Sequence, residues 1–337
     1  MERIKGLNEY VKNEKYRKAL NLPNEQEEEY TMLAQGEYNI NYAFTHSVTG
    51  KKLLLRVNCG SQMHLEHQIE YEAHALRLME GSGRTPKVLY VDGSKKILEH
   101  GVLVMEYLPG HAMDYHTELM LAAPCLADIH SVPIPESEEI LIHPQNPLKA
   151  ILEECEEMFK VYLESPLGDG EKKTYIRELL DLGWKREAET RLESGYQCCI
   201  NTELNSTNFL INGEGKSNYL IDWEKPLFGN PAQDLGHFLA PTTTFWKTDV
   251  ILTSEEIEKF IDAYIKAVGN RFKTDMIREH THAFIPITCL RGITWCAMAW
   301  VQYQQPDKLI FNESTFKKLN AYLDMDFLKN IRGYLEP

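Results

Sequence analysis

The sequence predicts an α+β fold in two lobes: a small lobe with an antiparallel sheet and one main helix, followed by a larger, mostly helical lobe. Three observations carry this. Between Thr31 and Met105, short apolar runs are separated by turn residues, and one stretch of helical spacing, His64–Met79, interrupts them. Beyond residue 107 the apolar positions recur mostly at helical spacing. Finally, 337 residues suffice for two units rather than one.

Taken in order, residues 1–30 read as polar helix, broken at Pro23-Asn24 before the acidic run Glu25 to Glu29. Thr31 to Phe44 reads as strand, turn at Gly36 and returning strand, with Asn39 as a local cap. Thr49-Gly50 turns into Lys52–Val57, a strand ending in the cation Arg56. His64–Met79 is helical and carries Glu70 and Glu72. Gly81-Ser82-Gly83-Arg84 has the composition of a phosphate cradle but precedes Thr85-Pro86 rather than a helix, so it is a connector. Val88–Val91 and Gly101–Met105 form a second strand pair, which runs into Glu106-Tyr107-Leu108-Pro109-Gly110.

The helix Leu119–Ile129 ends at His130, read as a packed histidine because no partner acid stands out at a suitable spacing. Prolines 133, 135, 144 and 147 mark a loop, and helices follow near 148–164, 171–193, 255–268 and 276–302. Between them lies the stretch with the most chemistry. Glu203 is followed five residues later by Asn208 and the apolar run Phe209–Ile211, and Asp222 closes a second run, Tyr219–Ile221. Asn212-Gly213 and Gly215 supply a turn, so the two runs pair as a hairpin that carries Asn208 and Asp222 to one end. An amide oxygen and a carboxylate there suit a hard cation such as Mg²⁺, which keeps several waters and takes other ligands from phosphates. Trp295, Trp300 and Tyr303 could wall a quaternary ammonium or a sugar ring, although aromatics at helical spacing are more often core. His280 and His282 point to different faces of a helix, which disfavours a metal site.

Composition narrows the field further. A net charge of −14 disfavours nucleic acid as a partner. Residues 111–200 carry 18 Asp/Glu against 8 Lys/Arg, which would draw a cationic small molecule unless these acids only solvate helix faces. No apolar run approaches the roughly 18 residues of a membrane span, and the N-terminus lacks a signal-peptide core. Seven cysteines without a Cys-x-x-Cys pair argue against a disulfide framework or zinc, so a cytoplasmic location is expected.

The stretch Asn201–Asp234 resembles the catalytic core of the aminoglycoside phosphotransferase and choline kinase group, small-molecule kinases with a protein-kinase-like fold. Their loop usually reads H-G-D-x-x-x-x-N, followed by I-D-W or I-D-F/Y. Here Asn201-Thr202-Glu203 takes the H-G-D place, and Asn208, Ile221-Asp222-Trp223 and Gln233-Asp234-Leu235-Gly236 match the later positions. The resemblance implies that Glu203 is the catalytic base, that Asn208 and Asp222 bind Mg²⁺, and that Asp234 steadies the loop. It further implies ATP or GTP as co-substrate. Gly36 would cover its phosphates, Arg56 with Glu72 (rather than Glu70) would hold them, and Met105 would line the base pocket. The base itself would be read by the Glu106 carbonyl and the Leu108 amide, because Glu106-Tyr107-Leu108-Pro109-Gly110 after a strand resembles the group's hinge, which implies lobes at residues 1–106 and 107–337. Members act on aminoglycosides, choline, methylthioribose, homoserine and other alcohols. Two positions depart from the pattern, Asn201 for His and Glu203 for Asp. They favour the alternative of a catalytically degenerate, kinase-like nucleotide-binding protein with a regulatory or assembly role. Glu203 reaches one C–C bond, about 1.5 Å, beyond an Asp, on a scale where about 1 Å can cost roughly 100-fold.

Overall fold

A computed structural model of the chain describes residues 4–36, 38–192, 195–305 and 312–336. Two short helices open it, α1 (Leu7–Val11) and α2 (Glu14–Ala19), the second capped by Asn13. They precede β1 (Thr31–Gln35), β2 (Asn39–Thr45), β3 (Lys52–Asn58), α3 (Gln68–Met79), β4 (Val88–Asp92) and β5 (Gly101–Glu106). The five strands make one antiparallel sheet in the order β1-β2-β3-β5-β4. Glu37, in the first turn, lies outside the described residues, as does Glu193.

The two-residue period of the strands decides what each face meets. Leu53, Leu55 and Val57 of β3 and Val102 and Val104 of β5 join Leu7, Tyr10, Tyr16 and Leu20 in one apolar cluster. The intervening Leu103 and Met105 face α3 and belong to the larger core with Ile69, Ala73 and Leu76. Arg56 falls on this second phase, and that places a cation under α3 instead of under α1 and α2. The acidic run after Pro23 is partly structural, since Glu28 accepts from the buried Arg17 guanidinium at 2.9 Å.

Beyond β5 come β6 (His111–Ala112), α4 (Tyr115–His130), α5 (Pro147–Glu164), α6 (Gly170–Glu189) and β7 (Cys198–Ile200). The expected hairpin follows as β8 (Phe209–Ile211) and β9 (Tyr219–Leu220), with Phe209 opposite Leu220 and a turn in which Gly213 and Gly215 have φ of 112° and 70°. β6 pairs with the outer edge of β8. Asn212 Nδ2 donates to the Pro109 carbonyl at 3.0 Å, and Gly110 has φ 131° where a Cβ would stand 2.9 Å from the Leu210 carbonyl carbon. β10 (Leu227–Gly229) pairs with β7, and α7 (Pro231–Leu239) and α8 (Pro241–Thr248) each open on proline. The chain ends in α9 (Ser254–Val268), α10 (Ile277–Tyr303), α11 (Glu313–Tyr322) and α12 (Met325–Leu335).

α10 is the axis of the helical half, packed by α5 and α7. At Gly236 of α7 a Cβ would lie 2.4 Å from the Phe284 Cβ, so only glycine lets the helices meet there. Although charges interrupt its apolar runs, this helix is by length and composition apolar enough to cross a membrane, with mean hydropathy 1.4 over 18 residues. However, 72% of that window is buried inside the protein, as befits a core helix.

Candidate active site

Asp234, in the first turn of α7, is fully buried and organises the loop after β7. Its carboxylate accepts from the backbone amides of Asn201 at 2.8 Å and Thr202 at 2.7 Å. This fixes Thr202 at φ 65°, a left-handed turn that aims Glu203 away from the core. The same carboxylate lies 3.1 Å from His130 Nε2, whose other ring nitrogen is 2.8 Å from the Tyr264 hydroxyl. His130 is thus packed, as its sequence context suggests, and its acid partner, which no spacing announces, comes from a helix 104 residues later. His130 itself is fully buried.

Asn201 ties the loop to the hairpin: its Nδ2 donates to the Asp222 carbonyl at 2.8 Å and its Oδ1 accepts from the Glu203 amide at 3.0 Å. Asn208 Nδ2 donates to the Glu203 carbonyl at 2.9 Å, and the Asn208 carbonyl accepts from Ile221 N, also at 2.9 Å. Asn208 and Asp222 therefore sit at the same end of β8 and β9, with Asp222 at φ 67°.

Arg56 reaches this end from the sheet. Its Nη1 contacts Glu72 on α3 and lies 3.1 Å from Asp222 Oδ1 and 3.8 Å from Glu224, while its Nε donates to Asn41 Oδ1 at 3.0 Å. Glu70 instead lies beside His67 at 2.9 Å. Burial pushes Glu72 up to about 7 against the pull of Arg56. Burial and then the neighbouring Asp222 push Glu224 up to about 8. Glu72, Asp222 and Glu224 thus crowd one guanidinium, and the two raised carboxyls hold protons that a bound cation would help to displace. Among the described residues, no group of three or more His, Cys, Asp and Glu could hold a metal alone. The donor set suits Mg²⁺, which needs only one or two protein oxygens when phosphates and water supply the rest.

Glu203 stands in a second cluster that sequence reasoning missed. Its Oε1 accepts from Arg291 Nη2 at 2.8 Å and lies 3.4 Å from Lys225 Nζ. Glu154 takes the same two cations, at 2.9 Å from Arg291 Nε and 3.3 Å from Lys225. Burial alone would raise the Glu203 carboxyl, but Arg291 and Lys225 outweigh it and hold the group well below the usual carboxylate range. The available signals were Lys225, three residues after Asp222, and Arg291, an isolated charge in an apolar stretch of helix.

A cavity of about 270 Å³ is lined by Gly36, Glu203, Asn208, Asp222, Trp295 and Tyr303, among others. A second, of about 210 Å³, shares Glu203 and Trp295 and extends to His237, Thr243, Trp246 and Arg291. Trp300 lines neither; its Nε1 donates to Asn320 at 3.0 Å and its ring meets Tyr162 edge-on. Trp246, which the sequence did not single out, meets Trp295 instead, at 5.3 Å and 90°. Asn39 closes the turn with its carbonyl, which accepts from Gly36 N at 2.9 Å, while its side-chain oxygen accepts from Asn58 Nδ2 at 3.0 Å. Met105 is buried at the end of β5, Glu106 pairs through its backbone amide with the Lys87 carbonyl at 3.0 Å, and Leu108 is half-buried. None of these three lines either cavity.

Residues 29–279 match the model of the phosphotransferase enzyme family. The chain belongs to that family. No curated protein matches it by sequence. Among solved structures it is similar to the Plasmodium vivax ethanolamine kinase, with 17% identity, TM-score 0.63 and coverage of 96% of this chain and 93% of that one. It is also similar to a microcompartment-associated aminopropanol kinase (13% identity, TM-score 0.64, 95% and 96% covered). A third is a spectinomycin phosphotransferase solved with ADP and spectinomycin (14% identity, TM-score 0.61, 91% and 92% covered). At these identities the likeness is one of fold, and it is the two-lobed, kinase-like α+β fold that the sequence predicted. As a family member the chain is a small-molecule phosphotransferase.

Proposed function

We propose that the protein transfers the γ-phosphoryl group of ATP or GTP, with Mg²⁺, to a hydroxyl of a small molecule. In this reading residues 1–106 cover the nucleotide, and residues 107–337 carry the catalytic loop and the acceptor site. The observation that supports it most is the meeting of Arg56 with Glu72 and Asp222, beside a cavity lined by Asn208 and Glu203. Asp222 and Asn208 would hold Mg²⁺, which when bound supplies neutralisation of phosphate charge. Arg56, kept in place by Glu72 and Asn41, would hold the α- and β-phosphates, with Gly36 above them. Met105, Glu106 and Leu108 would receive the base from β5 and the connection after it.

Glu203 stays ionised and accepts the hydrogen bond of the acceptor hydroxyl, which orients an oxygen lone pair at phosphorus. In a loose transition state the entering oxygen is little bonded, so its proton need pass to the weakly basic Glu203 only late. The test is nucleotide consumption with Mg²⁺ and ATP or GTP against pooled alcohols, for wild type and Glu203→Ala. Acceptor-dependent turnover that falls by roughly 10²–10⁴ in the variant is expected. Nucleotide binding without turnover on any pool would favour a binding protein with a regulatory role instead.

A further inference from the structure

We propose that the acceptor is a small, uncharged, polyhydroxylated ring of about monosaccharide size, bound in the cavity between α8 and α10. The proposal rests on the phosphotransferase reading and names its substrate class. Its first support is the closure of charge around Glu203. Glu154 and Glu203 each contact both Lys225 and Arg291, so two carboxylates and two cations satisfy one another. Among the described residues, an ammonium entering here finds only carboxylates already paired with a cation and meets Arg291, and an acidic acceptor finds only cations already paired. Either would leave an uncompensated charge in a part-buried site. The acidity of residues 111–200 does not change this, because Glu154 is the one acid of that segment lining the three cavities around the loop. Asp222 and Glu224 face Arg56 on the nucleotide side.

The second support is the wall. Trp246 and Trp295 meet edge to face and give the cavity an apolar corner. Thr243 and Thr288 add hydroxyls, which both donate and accept, and Thr242, whose hydroxyl donates to the Thr288 carbonyl at 3.4 Å, adds an acceptor. His237, held down at about 4 mainly by burial, is a neutral imidazole that does the same. Apolar ring faces with a few convergent neutral polar groups match the alternating CH and OH faces of a sugar or cyclitol. Size agrees: about 210 Å³ is smaller than the roughly 300–1,000 Å³ of sites for drug-sized ligands and suits one ring, while the adjoining 270 Å³ space is the one lined by Asn208 and Asp222.

The experiment is ligand-observed saturation-transfer NMR on the full chain with MgADP. One pool holds neutral pentoses, hexoses and inositols; the other holds ethanolamine, choline and aminoglycosides. Turnover of each hit with MgATP and MgGTP follows. Signals from neutral rings are expected, with kcat/KM roughly 10-fold or more above any cationic compound. Trp295→Ala should raise the acceptor KM by roughly 10-fold while leaving the nucleotide KM nearly unchanged. Should Trp295→Ala fail to fold, Thr243→Val tests the same wall by removing one hydroxyl. Signals or turnover confined to the cationic pool would overturn the proposal, as would no neutral ring binding to protein that binds MgADP. Absence of nucleotide binding and turnover would defeat the phosphotransferase reading separately, because ring binding is read without turnover.

Discussion

Replacing Asp234 by Asn is nearly isosteric and removes one charge, and its cost is set by the contacts of the carboxylate. These serve three donors or potential donors: the Thr202 amide on Oδ1, and the Asn201 amide with His130 Nε2 on Oδ2. An amide side chain has one acceptor oxygen. Whichever way it is turned, its NH₂ opposes one backbone N–H, and His130 can adjust its tautomer but the peptide cannot. One stranded buried donor costs about 1–3 kcal/mol. The surviving bond also loses charge assistance, which puts the total at about 2–4 kcal/mol. With about 2.1 cal/mol/K of unfolding entropy per residue, this lowers Tm by roughly 3–6 °C. The left-handed turn at Thr202 loses half its support, so Glu203 drifts. A displacement of about 1 Å lowers kcat by roughly 100-fold, with the nucleotide KM little changed. Steady-state kinetics and hydrogen exchange at residues 201 and 202 measure both effects. Wild-type kcat together with undiminished protection of the two amides would refute the reasoning.

The other perturbations address the neighbouring groups. Asp222→Asn should abolish Mg²⁺-dependent nucleotide binding, read by calorimetry, while circular dichroism stays native; unchanged binding would remove Asp222 from the metal site. Arg56→Ala leaves Glu72 buried and unpaired and should cost about 3–5 kcal/mol in denaturant titration, whereas Arg56→Ala with Glu72→Gln should cost less than the sum of the single changes. Simple additivity would show that the pair is not coupled. Glu224, raised to about 8 by burial and Asp222, is protonated in the folded state at pH values where the unfolded carboxyl, near about 4.3, has already ionised. Its contribution to the nucleotide-free protein therefore falls as pH rises from about 4.5 to about 8. Glu224→Gln should flatten Tm against pH across that window, and an unaltered slope would contradict the assignment.

The parts of this architecture that were legible in the sequence are those set by local rules. Alternation and glycine turns announced β2, β3 and the β8–β9 hairpin, and pairing of that hairpin alone brings Asn208 beside Asp222. Glu72 is preferred to Glu70 by its distance from Leu76 along the helix, and it is Glu72 that α3 turns toward Arg56. What stayed hidden depends on which face of one helix meets another. Arg291 comes to Glu203 across 88 residues and His130 finds Asp234 across 104, and neither distance leaves a trace in spacing. Trp300 and Trp246 exchanged places for the same reason: helical periodicity says that aromatics share a face, but not which neighbour they will meet. α3 begins at Gln68 rather than His64, which has φ 56° and sits in the turn before the helix.

The link between β5 and β6 gives the molecule an uneven compliance. On its far side the chain is pinned by the β6–β8 pairing, by Asn212 and by the glycine that lies flat on Leu210; on its near side β5 is locked between β3 and β4. Only Tyr107, Leu108 and Pro109 remain to bend, and proline fixes one of their torsions. The link is not the one fastening, because α3 grips the helical half as well: Gln68 Nε2 donates to the Glu224 carbonyl at 2.7 Å and the Tyr71 hydroxyl to the Pro226 carbonyl at 2.6 Å. Arg56 and Asp222 therefore meet at 3.1 Å between two fastenings, like facing pages clipped at both spine and edge.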